Sequence, residues 1–534
     1  MKRPQFALML ALSGAAFSAA SAPVPVPVAP TAIAATAPAP AYDLDADVNA
    51  ALRAFDVPGI AIAIVKDGKV LAAKGYGVRK LGDAAPVTGR TLFEIASNSK
   101  AFTAAALGML VDEGQLKWDD PVTRHLPGFQ MYDPYVTGAM TVRDLLTHRS
   151  GLGLGAGDLM WWPSTTFSSD DIIERLRYIK PATTFRNGYA YDNLLYIVAG
   201  KIIAARMGQP WGSALRTRIF APLGMDATVT SVAEMLQAPD HAAPHSRIGE
   251  RTVVVKPMPV PNADGAVGID TNAEDIARWM NMLLGGGKSA AGAVLLGEAQ
   301  LREMWSAQTP IRIGPTRPSM ASTRPEFSAY GLGFNLRDYQ GRKLATHGGA
   351  LQGFYSRVTL VPSERLGIAI FTNAENRGSM EALQWRILDH YLNVPARDWI
   401  GIISADEAAM HKEELAKVGK ATAARTAKSQ PSLPLAAYDG QYQDAWYGAV
   451  TIAQEGKQHV MRFTRTPDLV GELEHFQHDT FIVRWRERNF NADAYVTFAL
   501  NPDGSIERMK MAPVSAETDF SYDFRDLNFT PVKR

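Results

Sequence analysis

The amino-acid sequence predicts an α+β domain followed by a small antiparallel barrel or sandwich. The chain has 534 residues, which is more than one ordinary hydrophobic core organises. Hairpin and helix patterns are mixed from Tyr42 to about Pro395, whereas beyond residue 432 apolar and polar residues alternate in short runs. This change from mixed to strand-only periodicity indicates two domains of different architecture.

The composition describes a soluble globular protein. Hydrophobic residues make up 46% of the chain and charged residues 20%, which excludes disordered and fibrous classes. The net charge of +1, from 55 basic and 54 acidic side chains, gives no reason to expect nucleic acid or an anionic membrane as a partner. Cysteine is absent, which excludes disulfides, thiolate metal sites and thiol nucleophiles.

Residues 1–22 have the order of a secretory signal peptide. Two basic residues precede an apolar run from Phe6 to Phe17, which is too short to cross a bilayer, and small residues follow. We therefore expect cleavage after Ala20 or Ala22 and a periplasmic or secreted protein without stable membrane insertion. The Pro/Ala-rich residues 23–41 are predicted to be an extended linker.

Strand and helix patterns then follow in order along the first domain. Ile60–Val65 and Val70–Ala72 flank a Lys-Asp-Gly turn and predict a hairpin, and Arg357–Val361 with Gly367–Phe371 predicts a second. Apolar residues at helical spacing predict a buried helix from Ala101 to Val111.

The end of the first domain and the second domain have different patterns. A helix predicted over Met380–Leu392 closes the first domain, and the charged, Ala/Lys-rich residues 401–432 are predicted to be a helical linker. In residues 433–534 the apolar residues of Phe481–Trp485 alternate with polar ones. The Asn-Pro-Asp-Gly sequence at 501–504 is a strong hairpin signal, so this segment is predicted to consist of antiparallel strands.

Ser97 and Lys100 are the first candidate catalytic pair, at the start of the predicted buried helix. Residues three apart lie on one helical face, so the lysine amine can reach the serine hydroxyl. A hydroxyl becomes a good nucleophile when a base takes its proton, and lysine is such a base when burial depresses its pKa. The free N–H groups of a helix start suit a developing oxyanion. Taken alone, the pair also fits an N-cap serine with a solvated lysine.

Tyr191 and Asn193 form a second candidate pair. A phenol can pass a proton between a serine hydroxyl and a leaving group, provided that nearby cations lower its pKa from about 10. The amide of Asn193 can hold both Lys100 and a substrate carbonyl. Taken alone, the pair also fits a core tyrosine beside a turn asparagine.

Two further stretches complete the candidates. In His347–Ala350 two glycines let a substrate backbone approach closely, and the Ala350 N–H can face the nucleophile; the alternative is a hairpin turn. Residues 141–152 have no evident chemistry, and we predict a short helix and turn that support the site, with His148 in a structural role.

The joint order and spacing of these motifs resemble the penicillin-recognising serine hydrolases, in particular the branch of class C β-lactamases, D-aminopeptidases and family-VIII esterases. The resemblance covers residues from about 45 to 395 and includes Phe93–Ala96, a Leu-Leu-Thr-His-x-Ser-Gly-Leu run, residues 265–277 and Tyr330–Phe334. It implies a β-lactamase-like hydrolase domain over residues 42–400, with an antiparallel sheet flanked by helices plus an all-α region.

The resemblance also implies a role for each candidate. Ser97 would be the nucleophile of an acyl-enzyme, Lys100 the base and Tyr191 the acid/base. The N–H groups of Ser97 and Ala350 would form the oxyanion hole. The implied substrate-binding and oxyanion positions are Asn193, His347, Gly349 and Ala350.

His347 departs from the family pattern, which usually has Lys-Thr-Gly at this point. That lysine is a fixed cation for the substrate carboxylate, whereas a histidine is only partly charged near neutral pH. We therefore expect poor β-lactam hydrolysis and predict a peptidase or amidase acting on small or linear peptides. The alternatives are a carboxylesterase on short acyl esters, a β-lactamase or DD-peptidase, and a non-catalytic penicillin-binding sensor.

From Leu435 the sequence resembles the lipocalin-like domain that some of these hydrolases carry, for example over Tyr438–Tyr442 and Arg465–Gly471. In related peptidases such domains narrow access to the active site or build oligomers, so the resemblance allows for a homo-oligomer. Relatives with this layout include a peptidase for linearised microcystin, which makes that linear peptide one candidate substrate.

No cofactor and no metal site are predicted. His241 and His245 are four residues apart, but Pro244 argues against a helix there and no glutamate completes a zinc motif.

Overall fold

The computed structural model describes residues 42–426 and 428–532. The predicted signal peptide and the Pro/Ala-rich linker, residues 1–41, lie outside the described residues. Among the helices of the described ranges, none combines the length and the apolar character that a membrane crossing requires.

The helices are, in chain order, α1 (Leu44–Ala54), α2 (Ser99–Asp112), α3 (Val122–His125), α4 (Pro134–Ala139), α5 (Val142–Leu145), α6 (Ser169–Arg175), α7 (Leu194–Met207), α8 (Trp211–Leu215), α9 (Ala221–Leu223), α10 (Val232–Met235), α11 (Asp264–Val267), α12 (Ala273–Leu284), α13 (Glu298–Met304), α14 (Arg377–Tyr391) and α15 (Trp399–Ala423).

The strands of the first domain are β1 (Gly59–Lys66), β2 (Lys69–Gly77), β3 (Phe93–Glu94), β4 (His245–Ile248), β5 (Arg251–Val254), β6 (Asp270–Thr271), β7 (Thr309–Pro310), β8 (Ser328–Tyr330), β9 (Asn335–Tyr339), β10 (Arg342–Leu351), β11 (Phe354–Val361) and β12 (Leu366–Thr372). Those of the second are β13 (Gly440–Asp444), β14 (Gly448–Glu455), β15 (Gln458–Phe463), β16 (Val470–Gln477), β17 (Thr480–Trp485), β18 (Ala494–Leu500), β19 (Ile506–Pro513) and β20 (Thr530–Pro531).

The main sheet of the first domain has eight antiparallel strands in the order β2-β1-β12-β11-β10-β9-β8-β7. Both predicted hairpins are confirmed as β1–β2 and β11–β12. Helix α12 packs on β1 and β12, and α14 packs on β11 and β12. Since β1 and β12 are buried along nearly their whole length, they are continuous apolar runs rather than alternating ones.

The all-α region surrounds α2, whose residues from Ser99 to Leu110 are all buried. Helix α2 packs against α7, α11 and α13, which explains why its apolar residues are not confined to one stripe. The predicted helix is confirmed, and it starts two residues earlier than expected. Its first turn therefore carries Lys100 into the interior.

A buried carboxyl pair lies behind this helix. Glu94 on β3 is the direct partner of Asp270 on β6, and each has one oxygen that finds no hydrogen-bond partner within the described part of the chain. Burial raises the pKa of both carboxyl groups well above their usual range. The pair is therefore stable in protonated form.

The second domain is a nearly closed antiparallel barrel in the order β19-β18-β17-β16-β15-β14-β13-β20. Strand β20 pairs with β13, and a bridge between Met509 and Phe529 joins β19 to the segment before β20. Aromatic side chains such as Phe463, Trp485 and Phe498 fill the interior. The barrel alternative is confirmed, and the predicted turn at 501–504 joins β18 to β19.

Helix α15 occupies most of the predicted linker and packs on α14 and α1. Its Glu414 accepts a hydrogen bond of 2.7 Å from the N–H of Ala516, in the loop of residues 514–529 between β19 and β20. We call this segment the β19–β20 loop. The domain bounds at 400 and 432 remain predictions.

Candidate active site

Ser97 lies in a short 3-10 turn, Ala96–Asn98, that leads directly into α2. Ala96 has a φ of 47°, a left-handed conformation that costs energy for a residue with a side chain and is typical of functional sites. The Ser97 side chain lies at the wall of a cavity of about 560 Å³, which is a usual size for a ligand site.

Lys100 is completely buried one helical turn from Ser97, and its Nζ lies 3.0 Å from the serine Oγ. The amine also donates to Asn193 Oδ1 at 2.7 Å and to the Ala266 carbonyl at 3.2 Å. A neutral amine has two hydrogens and one lone pair. With both hydrogens held by these two carbonyl oxygens, the lone pair faces Ser97.

The charge of Lys100 is set by opposing effects. Burial lowers its pKa to about 7, whereas the carboxylates of Asp158 and Asp192 act in the opposite direction. A substantial fraction of Lys100 is therefore neutral near neutral pH. A lysine can act as a base when burial depresses its pKa, and Lys100 meets this condition.

Tyr191 donates a hydrogen bond of 2.9 Å from its hydroxyl to Ser97 Oγ. Its pKa is raised well above the usual range because the phenol is buried. The expectation that nearby cations lower this pKa is wrong, although Lys100 Nζ lies 4.9 Å from the ring centre. Desolvation exceeds that attraction, so Tyr191 is a neutral phenol at rest and is suited to relaying a proton.

Asn193 connects Lys100 to the buried Asp158, a residue that the sequence did not predict. The Asn193 Nδ2 donates to Asp158 Oδ2 at 2.8 Å, and Trp161 Nε1 donates to the other carboxylate oxygen at 2.8 Å. Burial raises the pKa of Asp158 to about 7. No sequence signal marks Asp158, because it begins a short 3-10 turn, Asp158–Met160, and meets Asn193 only through the tertiary fold.

His347 is buried and neutral, contrary to the expected partial charge. Its Nδ1 contacts the Gly348 carbonyl at 2.7 Å and must carry the proton, so Nε2 accepts from the Tyr330 hydroxyl at 2.9 Å. Burial and the nearby Lys100 amine lower its pKa to about 3. His347 is therefore no cation for a substrate carboxylate.

The His347–Ala350 segment is part of strand β10 and not a hairpin turn. Strand β9 pairs with β10 only as far as Thr346, so this part of β10 has no partner on that side among the described residues, and it lines the cavity. A side chain at Gly349 would meet the Ile95 carbonyl at 2.1 Å and Ser356 Oγ at 2.4 Å. Glycine is therefore required for the strand to lie against the turn that carries Ser97.

His148 supports the site from behind. Its buried ring lies 4.3 Å from the Tyr191 ring centre, and its Nδ1 accepts the Asp192 N–H at 3.2 Å. The predicted short helix is α5, which Thr141 and Asp144 cap reciprocally. The geometry agrees with a structural role for His148.

The β19–β20 loop of the barrel also lines the cavity, through Asp519, Phe520 and Ser521. The Phe520 ring meets the Tyr191 ring edge to face at 5.9 Å, and Ser521 Oγ donates to Asp158 Oδ2 at 2.9 Å. The sequence predicted the barrel but none of these residues. Their positions depend on the docking of one domain against the other.

No group of three or more His, Asp or Glu side chains placed to hold a metal ion occurs in residues 42–426 and 428–532. His245 Nδ1 instead contacts the Asn373 carbonyl at 2.7 Å, and His241 Nδ1 contacts the Ala238 carbonyl at 2.6 Å.

Comparison with known families agrees with this fold. Residues 44–392 match the family described as Beta-lactamase, and residues 424–531 match a domain of unknown function, DUF3471. The chain therefore belongs to the beta-lactamase family and is a serine hydrolase of the β-lactamase-like fold. That its barrel resembles lipocalins remains a prediction.

Individual relatives cover most of the chain. The unguisins hydrolase ungD' of Aspergillus campestris is 31% identical over 484 residues, which are 86% of each chain. The octameric penicillin-binding protein homologue of Pyrococcus abyssi shares the fold with a TM-score of 0.56 and 20% identity, over 91% of this chain and 98% of its own. The D-amino acid amidase of Ochrobactrum anthropi SV3 has a TM-score of 0.54 and 25% identity, over 65% and 99%.

Proposed function

We propose that the protein is an exported hydrolase that cleaves amide bonds of small or linear peptides through an acyl-enzyme on Ser97. The observation that carries this proposal is the convergence of two proton-handling groups, Lys100 Nζ and Tyr191 OH, within 3.0 Å of one serine oxygen. A catalytically silent binding protein has no need of that arrangement.

Acylation starts from neutral Lys100. Ser97 Oγ bonds the substrate carbonyl carbon while its proton passes to Lys100 Nζ, and the new ammonium is stabilised by Asp158. The N–H groups of Ser97 and Ala350 are assigned to the carbonyl oxygen, which becomes negative in the tetrahedral intermediate. Tyr191 donates its proton to the leaving nitrogen as the C–N bond breaks, and it recovers a proton from Lys100.

Deacylation reverses these roles with water in place of the amine. A water oxygen bonds the acyl carbon while the Tyr191 and Lys100 pair takes its proton. The ester bond to Ser97 Oγ then breaks, and the oxygen regains a proton from the same pair. One water is consumed, and the protein returns to its starting state.

An amide substrate is supported by three features. The cavity of about 560 Å³ is large enough for a short peptide, and a strand edge beside the nucleophile can pair with an extended peptide backbone. Among the relatives are a hydrolase named for unguisins and an amidase named for D-amino acids. Linearised microcystin is one candidate of the linear peptide class.

A carboxylesterase is the second candidate, because the same acyl-enzyme forms from an ester whose leaving alcohol needs less protonation. Turnover of β-lactams is expected to be poorer because His347 is neutral. Export and a homo-oligomer are further parts of the proposal. They are supported by the signal-like residues 1–22 and by the octameric homologue, respectively.

A substrate panel tests the proposal. We expect kcat/KM on an amino acid or peptide p-nitroanilide to exceed that on a chromogenic cephalosporin, with a p-nitrophenyl ester as the esterase comparison and linearised microcystin as a peptide. Ser97→Ala should abolish all turnover, whereas the exposed Ser306→Ala serves as a matched control. Hydrolysis of the cephalosporin as the best substrate would refute the substrate class, and activity of Ser97→Ala would refute the mechanism.

A further inference from the structure

The β19–β20 loop of the barrel lies against residues 155–158 of the first domain, which we call the 155–158 turn. A side chain at Gly155 would meet the Phe520 ring at 2.7 Å and the Phe520 carbonyl oxygen at 2.9 Å, so the loop lies directly on the backbone of the turn. At the other end of the turn, Asp158 accepts the hydrogen bond from Ser521. The loop therefore contacts the turn at both of its ends.

The Asp523 carboxyl is a third contact between the loop and the turn. Asp523 is buried, and its Oδ2 accepts the Gly157 N–H at 2.8 Å. Gly157 has a φ of 77°, and a side chain there would meet Ile179 Cδ1 at 2.6 Å. Because the turn is packed this closely on the first domain, its backbone holds the Gly157 N–H toward the loop.

The same turn supports both proton-handling groups of the candidate active site. The Gly155 N–H donates to the Tyr191 carbonyl at 2.9 Å. Asp158 accepts from Asn193, which in turn accepts from Lys100. A displacement of the turn would therefore disturb the positions of Tyr191 and Lys100 together.

The surroundings of Asp523 favour its neutral form. Burial is the largest effect on this carboxyl, and the carboxyls of Asp526 and Asp158 add to it. Together they raise the pKa of Asp523 to about 9, so the group is neutral at neutral pH. In the described part of the chain, no cation forms an ion pair with Asp523.

The cations of the neighbouring elements act on other carboxyls. The charge of Lys510 on β19 lowers the pKa of Asp526, although burial raises that pKa more strongly. Lys100 acts in the same way on Asp158 from the side of the active site. Arg525 of the loop is exposed to solvent.

The other titratable groups at this contact add no positive charge. Burial raises the pKa of Asp519 and of Tyr522 in the loop, and it raises the pKa of Glu375 in the first domain to about 7. Carboxyl groups therefore predominate where the loop meets the first domain, and the loop docks most favourably when they are protonated.

We propose that neutral Asp523 is a positioning residue, which anchors the β19–β20 loop on the 155–158 turn and loosens it when the carboxyl ionises at alkaline pH. The ionised carboxyl would lie beside two other carboxylates in a place with little water to screen them. The loop then leaves the turn, and the proposed catalytic groups lose a support. Only the effect on activity rests on the proposed function, because the docking of the loop does not depend on it.

The direction of the pH dependence follows from the two states of the loop. In the docked loop the Asp523 pKa is about 9, whereas an aspartate in water has a pKa of about 3.9. Docking is therefore strongest below about pH 4, weakens by up to about tenfold per pH unit above it, and is constant above about pH 9. Asp523→Asn keeps an acceptor oxygen for the Gly157 N–H but does not titrate.

Hydrogen exchange of the intact protein tests the docking. Peptides that contain Gly157, and peptides of the β19–β20 loop, are followed by mass spectrometry at pH 6 and pH 8.5. The proteins are the parent, Asp523→Asn and Asp468→Asn, a matched change at an exposed position of the same barrel. We expect the exchange rate relative to Asp523→Asn at the same pH to increase by about tenfold or more from pH 6 to pH 8.5, both in the parent and in Asp468→Asn.

Activity on a p-nitroanilide from pH 6 to 9.5 tests the positioning role. The kcat of Asp523→Asn should be within about threefold of the parent at pH 7, and it should persist to pH 9.5, where kcat of the parent falls by about threefold or more. Asp523→Ala lacks the acceptor oxygen and should be impaired at every pH. Asp526→Asn, at an exposed position, should weaken the pH dependence of exchange and serves if Asp523→Asn does not fold.

The inference is overturned if Asp523→Asn shows the same pH dependence of exchange as the parent, or the same alkaline profile of kcat. It is also overturned if Asp523→Asn is impaired at pH 6 as severely as Asp523→Ala. Ser97→Ala separates this inference from the proposed function. If Ser97→Ala retains activity, the proposed mechanism fails, whatever the exchange shows; if it is inactive while exchange in Asp523→Asn matches the parent, only the anchoring role fails.

Discussion

Replacing Asp158 by Asn should shift the acidic limb of the pH–rate profile to lower pH. Asp158 stabilises the ammonium form of Lys100 through the bridging amide of Asn193. Because burial raises the Asp158 pKa to about 7, most of Asp158 is ionised above about pH 7. Without the carboxylate the neutral base persists to lower pH.

The size of the shift follows from the geometry. Two hydrogen bonds of 2.7 and 2.8 Å join the charges through one amide. They lie roughly 7 Å apart, which at an effective dielectric constant of about 20 corresponds to about 2 kcal/mol, or between one and two pKa units. The limb, expected near the Lys100 pKa of about 7 in the parent, should therefore move to between about pH 5 and 6.

The assay is kcat/KM on one ester and one p-nitroanilide from pH 4 to 9, for the parent and the Asp158→Asn variant. Ser521→Ala removes a donor to the same carboxylate from the barrel side. Because that hydrogen bond lowers the Asp158 pKa, its loss leaves more of Asp158 protonated near pH 7, and the limb should move in the same direction by a smaller amount. Thermal unfolding of each variant shows whether it is folded. An acidic limb at the same pH in the folded Asp158→Asn variant would refute the claim that Asp158 stabilises the ammonium form of Lys100.

Three further predictions concern the site and its surroundings. Lys100→Ala and Tyr191→Phe should each lower kcat by several orders of magnitude, and the double variant should be little worse than either, because the groups act as a unit; additive losses in the cycle would contradict this. Glu94→Gln should raise the free energy of unfolding in urea at pH 8 relative to pH 5. The folded-state pKa of the Glu94–Asp270 pair is raised, so the stabilisation by the pair is complete below about pH 4.5 and is lost as the pH rises through that folded pKa. An unchanged pH dependence in the variant would argue against a protonated pair. Phe520→Ala should increase kcat/KM for bulky peptides relative to small ones, since the ring lies against Tyr191 at the cavity, and an unchanged size selectivity would show that the loop is no gate.

Much of the fold could be predicted because it depends on local patterns. The β1–β2 and β11–β12 hairpins, α2 and the barrel strands all follow from periodicity and turn residues, and Ser97 and Lys100 are neighbours in space because one helical turn joins them. Tyr191 could be predicted as a site residue only from the order of several motifs and the resemblance to a family, because no local pattern relates it to Ser97.

The remaining features depend on burial and on contacts between distant segments. The pKa of Tyr191 and the charge of His347 were wrongly predicted because desolvation, which the sequence does not reveal, exceeds the effect of neighbouring charges. Arg357 could be recognised only as the first residue of a strand pattern. Within the described residues its Nε is buried without a hydrogen-bond partner, and this burial, like the contact between Ser521 and Asp158, arises only when the chain folds.

Covalent labelling tests the central claim most directly. The intact protein is treated with a fluorophosphonate at pH 8, and the adduct is located by mass spectrometry of its peptides, with Ser97→Ala and Ser306→Ala treated in parallel. We predict a single adduct on Ser97 in the parent and in Ser306→Ala, none in Ser97→Ala, and much slower labelling of Lys100→Ala. An adduct on another serine, or equal labelling of Ser97→Ala, would contradict an acyl-enzyme on Ser97.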